Sequence, residues 1–231
     1  MVDVCNHLKL NYIDLEGTIF RQGYMPAHIK GNLSHLFSER GYAYLGFRSF
    51  WIRDQYDISD NKCLLLIRDP RDAMVSHYFS YLYSHGIPSS GPVSTTMSNN
   101  RSKFDGIDIN EYVLRPQFIN VFKNGFQNYE TFLAPHMTRV YRYEDIIYFK
   151  SEWLADMLNH LGVDLPGDIA SDIVKKHDVR PLQEDPSKHV RQVAPGNFRQ
   201  HLAEETIRSL NEALSHILNK YGYDRVNTVS L

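Results

Sequence analysis

The sequence has few cysteines, no long apolar run and no excess of charge of one sign. Its two cysteines, Cys5 and Cys63, are too few for a disulfide framework, and Cys63 opens an apolar run that favours a small buried side chain over a metal ligand or nucleophile. No stretch approaches the roughly 20 apolar residues of a membrane helix, and no hydrophobic signal segment opens the chain. Lys and Arg number 25 against 27 Asp and Glu, which gives no support to nucleic-acid binding through bulk charge but leaves room for a local basic pocket. We therefore expect a reduced, soluble, cytoplasmic protein that contacts neither nucleic acid nor membrane.

The composition is that of a single globular domain without a metal site. The 231 residues are 42% apolar and 23% charged, which excludes wholesale disorder and suits one domain over residues 1–231. None of the eleven histidines stands in a metal-binding pattern such as His-Glu-x-x-His. We expect no metal cofactor.

Short apolar segments alternate along the chain with segments of helical periodicity. Strands are predicted at residues 12–15, 42–45, 62–67 and 138–143, and helices at 27–38, 72–84, 117–133, 151–161 and 203–221. The strand at 62–67 is continuous and apolar, as expected of a parallel strand covered on both faces. The alternation predicts an α/β fold with a three-layer, open, mainly parallel sheet and helices on both faces.

Two segments lack any periodicity. Residues 86–106 are rich in Ser, Gly, Pro and Asn, which predicts a long mobile loop that closes over a substrate and sets its selection. Residues 226–231 are predicted to form a frayed polar tail.

The chemistry is concentrated where the best strand ends. Arg68 follows that strand directly, at the edge of an open α/β sheet where ligands bind. Ser76 lies about one turn into the predicted helix, where its hydroxyl could join the Arg68 guanidinium around a phosphate. The alternative is a surface turn in which the charges of residues 68–72 (Arg-Asp-Pro-Arg-Asp) pair with one another.

Three segments, in this order, resemble motifs of the sulfotransferases that use 3′-phosphoadenosine 5′-phosphosulfate (PAPS). Residues 68–72 with Ser76 are similar to the family's 3′-phosphate motif, and residues 140–145 (Val-Tyr-Arg-Tyr-Glu-Asp) are similar to its strand ending in Tyr-Glu-Asp. Residues 189–199 resemble the family's late Arg-Lys-Gly-x-x-Gly-Asp-Trp-Lys loop, with Phe in place of Trp and with Gln-Val in place of Lys-Gly. The resemblance covers roughly residues 10–225.

The resemblance implies a P-loop type fold and transfer of a sulfuryl group from PAPS to a hydroxyl or amine of a small-molecule or carbohydrate acceptor. It implies that Arg68, Ser76 and Arg191 hold the 3′-phosphate, that Tyr143 contacts the adenosine, and that Gly196 is the second glycine of the late loop. The alternative is a non-enzymatic domain that binds the 3′-phosphoadenosine nucleotide. A kinase-like NTPase is disfavoured because no Gly-x-x-x-x-Gly-Lys-Ser/Thr loop is present.

One family motif has no counterpart in this sequence. Members of the family cradle the 5′-phosphosulfate with a Pro-x-Ser-Gly-Thr-Thr loop between a first strand and a helix, and no such loop precedes Arg68. Residues 1–8 resemble the last turns of the helix that would follow it. We therefore expect the first strand of the sheet to be missing, and little sulfuryl transfer by this chain alone.

The acceptor base is a separate question. The segment that carries a catalytic His in cytosolic members is Gly-Phe-Arg-Ser-Phe at 46–50, without a His. Other branches use a Glu after the second strand, which makes Glu16 the candidate base. The alternative role for Glu16 is to cap or salt-bridge a turn.

Overall fold

Strands run in parallel pairs through the part of the chain that the computed structural model describes, namely residues 1–31, 33–37, 41–48, 57–179 and 193–223. Strand β1 (Asn11–Asp14) pairs with β2 (Tyr42–Leu45), and β3 (Cys63–Ile67) pairs with β4 (Thr138–Arg142). Both pairs are parallel, and each lies within a residue or two of a predicted strand. The prediction of an α/β fold with parallel pairing is confirmed.

Helices connect and cover these strands. They are α1 (Val2–His7), α2 (Leu15–Arg21), α3 (Pro70–Phe79), α4 (Pro92–Lys103), α5 (Ile109–Val113), α6 (Pro116–Phe132), α7 (Tyr143–Ile146), α8 (Lys150–Leu161), α9 (Gly167–His177), α10 (Phe198–His201), α11 (Glu204–Ala213) and α12 (Ser215–Tyr221). A π-helical turn, Ser80–Ser84, continues α3. None of the described helices is long and apolar enough to cross a membrane.

Helices pack on both faces of the β3–β4 pair because side chains alternate along a strand. Leu65 and Ile67 point into a cluster built mainly from α3, α6, α11 and α12, with Val75 and Leu214 fully buried at its centre. Leu64 faces the other side, where α1, α8 and α9 pack around β4. The predicted layering is therefore present at this pair of strands.

Strand β3 is less covered than its apolar sequence predicts. Leu66 is 49% exposed, and Val140 on the neighbouring strand is 45% exposed. Among the described strands only β4 pairs with β3, so its second edge has no described neighbour. Double coverage of the whole strand is the part of the prediction that is wrong.

The segment 86–106 is not a continuous loop, because its centre forms α4. Pro92 occupies the first helical position, where a backbone N–H would have no acceptor within the helix, so its absence costs no hydrogen bond. Val93 and Met97, four residues apart, are the two buried side chains of this helix, at 0% and 1% exposure. Two apolar side chains among polar residues give too weak a hydrophobic periodicity for a helix to be predicted from the sequence. The predicted mobility of the segment stays a prediction.

Two further helix predictions need correction. In place of the helix predicted at 27–38, the described residues there form two short 3₁₀ turns, Pro26–His28 and Ser34–Phe37. Gly31 between them has a φ of +107°, which an α-helix does not accommodate. Residues 203–221 form two helices with a break at Leu214, whose φ and ψ are −108° and 12°. The predicted tail at 226–231 lies outside the described residues.

Candidate functional site

Arg68 lies at the carboxyl end of β3, immediately before α3, and its side chain is 21% exposed. Its guanidinium stacks over the Tyr143 ring, 4.8 Å from the centroid, and its Nη2 is 3.5 Å from Asp72 Oδ2. The Arg68 Nε is buried and has no hydrogen-bond partner in the described part of the chain. Arg68 is therefore a positioned cation with an unused donor.

Arg71, three residues later, has a different role because it is only 3% exposed. Its Nε and Nη2 donate to the two oxygens of Asp69 at 3.0 and 2.6 Å. Further bonds reach Asn211 Oδ1 at 2.6 Å and the Tyr223 carbonyl at 2.7 Å, and the guanidinium stacks on Phe198. Asp69 also caps α3 by accepting the Arg71 backbone N–H. Arg71 therefore joins the start of α3 to the end of the described chain.

Asp72 connects α3 to the late loop. It is fully buried, and its Oδ2 accepts the Gly196 N–H at 2.7 Å while its Oδ1 accepts the Phe198 N–H at 2.9 Å. Gly196 has a φ of +84°, a conformation that glycine adopts without steric cost. The charges of residues 68–72 do pair with one another, as the alternative interpretation expected, but the turn is buried and bonded to a distant loop.

Strand β4 ends beside the end of β3, and α7 begins there with Tyr143 and Glu144. The Tyr143 hydroxyl donates to the Val193 carbonyl at 2.8 Å, and burial raises the pKa of this phenol against the opposing effect of the Arg68 cation. Glu144 accepts the Asp69 N–H at 2.9 Å and the Tyr223 hydroxyl at 3.0 Å. Burial, followed by the Glu144 carboxylate, raises the pKa of Tyr223 above its usual range. The Tyr-Glu pair thus fixes both the turn after β3 and the late loop.

The structure brings together three of the residues that the sequence singled out. Arg68 stacks on Tyr143, whose hydroxyl holds Val193, and Gly196 contacts the same Asp72 that faces Arg68. Ser76 is half-buried on α3 at the seventh helical position, later than expected because the helix begins at Pro70. It follows Asp72 by one turn and shares its helix face. Arg191 lies outside the described residues.

Glu16 lies at the other pair of strands. It is the second residue of α2, directly after β1, and its Oε1 accepts the Arg48 backbone N–H at 2.7 Å. That bond ties the end of β1 to the segment after β2. It agrees with the structural role that the sequence left open, and the role of Glu16 as a base stays a proposal.

Two residues of the site have features that the sequence did not predict. Asp72 stands four residues after Arg68, a spacing that signals contact on a helix, but its loop partners could not be foreseen. Asn197 is 1% exposed, and neither atom of its side-chain amide has a hydrogen-bond partner in the described ranges. Nothing in the sequence distinguishes this Asn from a surface residue.

The described residues contain no group of three His, Cys, Asp or Glu side chains that could hold a metal ion. Fold and site together define a mixed α/β protein with a network of ion pairs around Arg68 and Arg71 at the carboxyl end of a parallel strand.

No family model matches the sequence, and no curated protein matches it. Among solved structures, the chain is similar to mouse sulfotransferase SULT7A1 complexed with PAP, at 12% identity and a TM-score of 0.49, over 83% of this chain and 71% of that one. It is also similar to retinol dehydratase in complex with androsterone and inactive cofactor PAP, at 13% identity and a TM-score of 0.44, over 89% of this chain and 58% of that one. Similarities this weak establish neither family nor activity for this chain.

Proposed function

We propose that this chain is a PAPS-dependent sulfotransferase domain whose 3′-phosphate site is centred on Arg68. The observation that carries the proposal is the meeting of three segments distant in sequence: the turn after β3, the start of α7 and the loop before α10. Each holds one of the three motifs that resemble the sulfotransferases. Hydrogen bonds join Asp69 to Glu144 and Asp72 to Gly196, across 75 and 124 residues.

Arg68 retains hydrogen-bonding capacity for an anion, although it faces Asp72. Both oxygens of Asp72 accept short backbone N–H bonds, whereas the contact from Arg68 is 3.5 Å long. The carboxylate is thus engaged chiefly with the loop, and the buried Arg68 Nε has no described partner. A phosphate oxygen would supply a charge-assisted bond to that donor, which is stronger than a neutral one. The Tyr143 ring beside Arg68 supplies an aromatic surface for the adenosine.

For the transfer itself, PAPS supplies an activated sulfuryl group whose leaving group is a phosphate. Arg68, Ser76 and Arg191 would bind the 3′-phosphate and so position the donor. Glu16 would accept the proton that the acceptor hydroxyl or amine loses on attack. Its bond from the Arg48 N–H holds the carboxylate in one orientation.

The first test is binding of adenosine 3′,5′-bisphosphate, measured by calorimetry. We expect Arg68→Ala to weaken binding by about 1.5–3 kcal/mol, roughly tenfold to 150-fold, because it removes hydrogen bonds to a charged group. Adenosine 5′-phosphate, which lacks the 3′-phosphate, should bind both proteins equally. Arg139→Ala is the matched control, because Arg139 is exposed on β4 and pairs with Asp156. An unchanged affinity in folded Arg68→Ala protein, checked by circular dichroism, would contradict the proposal.

A second candidate function is binding of the nucleotide without transfer. It is favoured by one observation: the candidate base Glu16 accepts the Arg48 backbone N–H at 2.7 Å and so has a structural role that requires no transfer. An assay with radiolabelled PAPS against phenols, sugars and amines separates the candidates. Turnover by the original chain that is lost in Glu16→Gln supports the sulfotransferase function. Binding without turnover supports nucleotide binding alone.

A further inference from the structure

A cavity of about 500 Å³ opens at the end of α3 that is remote from Arg68. Its wall consists of Tyr78, Phe79, Tyr83 and residues 106–109. The ring centroids of Tyr78 lie 5.1 Å from Phe79 and 5.8 Å from Tyr83, at interplanar angles of 83° and 71°. Phe79 and Tyr83 are 6.3 Å apart. Three mutually inclined rings therefore form one side of the cavity.

The hydroxyl groups on this wall have no proton left for a ligand. Tyr78 donates to the Ile107 carbonyl at 2.9 Å, and a phenol has a single proton. In the 3.3 Å contact between the two hydroxyls, Tyr83 is then the donor and Tyr78 the acceptor. Burial raises the pKa of Tyr78 above its usual range, so its hydroxyl stays protonated at neutral pH. Tyr78 and Tyr83 thus contribute aromatic rings and hydroxyl oxygens to the lining of the cavity.

The lining of the cavity also includes a carboxylate, that of Asp108. Asp108 caps α5, with its Oδ1 accepting the Asn110 N–H at 2.8 Å. Hydrogen bonds from Asn110 hold the pKa of this carboxyl below its usual value, so it is ionised at neutral pH. The residues that line the cavity include no Lys, Arg or His. The wall thus combines aromatic faces, oxygen acceptors and one carboxylate.

We propose that this cavity is a binding site for an organic ammonium group. Aromatic faces attract a cation through their quadrupole, and rings grouped around a pocket are the arrangement that recognises quaternary ammonium ligands. The Asp108 carboxylate, which is part of the same lining, adds a negative charge. The site is distinct from the phosphate site at Arg68, and it does not depend on the function proposed there.

The probes are choline and its uncharged carbon isostere, 3,3-dimethylbutan-1-ol, titrated into the full chain at pH 7.5 and followed by NMR or calorimetry. We expect choline to bind at least about tenfold more tightly than the isostere, because the two differ in charge but hardly in shape. Equal affinities, or no binding of choline, would overturn the proposal.

Two variants test whether residues that line the cavity contribute to choline binding. Tyr83→Leu removes a ring that is 51% exposed, so the fold should tolerate it. Asp108→Asn removes the charge and keeps a good helix cap. Each should weaken choline binding by roughly threefold to tenfold and leave binding of adenosine 3′,5′-bisphosphate unchanged. Asp105→Asn is the matched control, because Asp105 is exposed and does not line the cavity. If Asp105→Asn and Asp108→Asn weaken choline equally, the site is not where we place it.

Discussion

Replacing Arg71 by methionine is expected to lower the free energy of unfolding by about 3–5 kcal/mol, the usual result of removing one partner of a buried ion pair. The methionine keeps the apolar contact with Phe198 but leaves the buried Asp69 carboxylate without its cation. It also removes the donors to Asn211 and to the Tyr223 carbonyl. Urea unfolding followed by circular dichroism measures the change.

Arg139→Met is the control for this prediction. Arg139 makes a bidentate pair with Asp156 at 2.9 Å, but its side chain is 54% exposed. Exposed pairs contribute at most about 1 kcal/mol, so this variant should unfold close to the original midpoint. A loss below about 1 kcal/mol for Arg71→Met as well would mean that the network around Arg71 is not as tightly packed as the structure shows.

The second large effect is expected at Asp72. Asp72→Ala leaves the buried N–H of Phe198 and the half-buried N–H of Gly196 without their acceptors, and an unsatisfied buried donor costs about 1–3 kcal/mol. We therefore expect a loss of about 2–4 kcal/mol of stability. Asp72→Asn keeps one acceptor oxygen and should fall between this variant and the original chain. Asp172→Ala, which removes an exposed carboxylate on α9 paired with Lys175, is the matched control and should change little.

Hydrogen exchange shows which backbone amides lose protection when Asp72 is replaced. Because Asp72 is bonded to the late loop, the amides of Gly196 and Phe198 should exchange faster in Asp72→Asn, while those of β4 remain protected. Uniform acceleration across the chain would show a general loss of stability in place of a released loop. Slow exchange at both amides would show that they have other acceptors, contrary to the structure.

The sequence predicted the strands and the Arg68 turn because their signals are local. A continuous apolar run bounded by charges identifies β3. The helix after the turn was predicted from residue 72, two residues later than the Pro70 at which α3 begins. Helix α4 could not be predicted, since Val93 and Met97 are its only buried side chains. The bonds of Asp72 to Gly196 and of Asp69 to Glu144 could not be predicted either. They depend on how the chain returns to this point after 124 and 75 residues, which no local pattern records.

The bonds of Arg71 to Asn211 and to Tyr223 span 140 and 152 residues. A ribosome delivers residues in order, so Arg71 meets its last acceptor only after the 152 residues up to Tyr223 have followed it. Contacts between distant residues also slow folding, because a long loop must close before they form. The buried cation of the first α3 turn thus stays without its full set of acceptors while these residues are being made. Completion of the Arg68 region is therefore a late event in folding, and the site becomes competent only when the whole domain has formed.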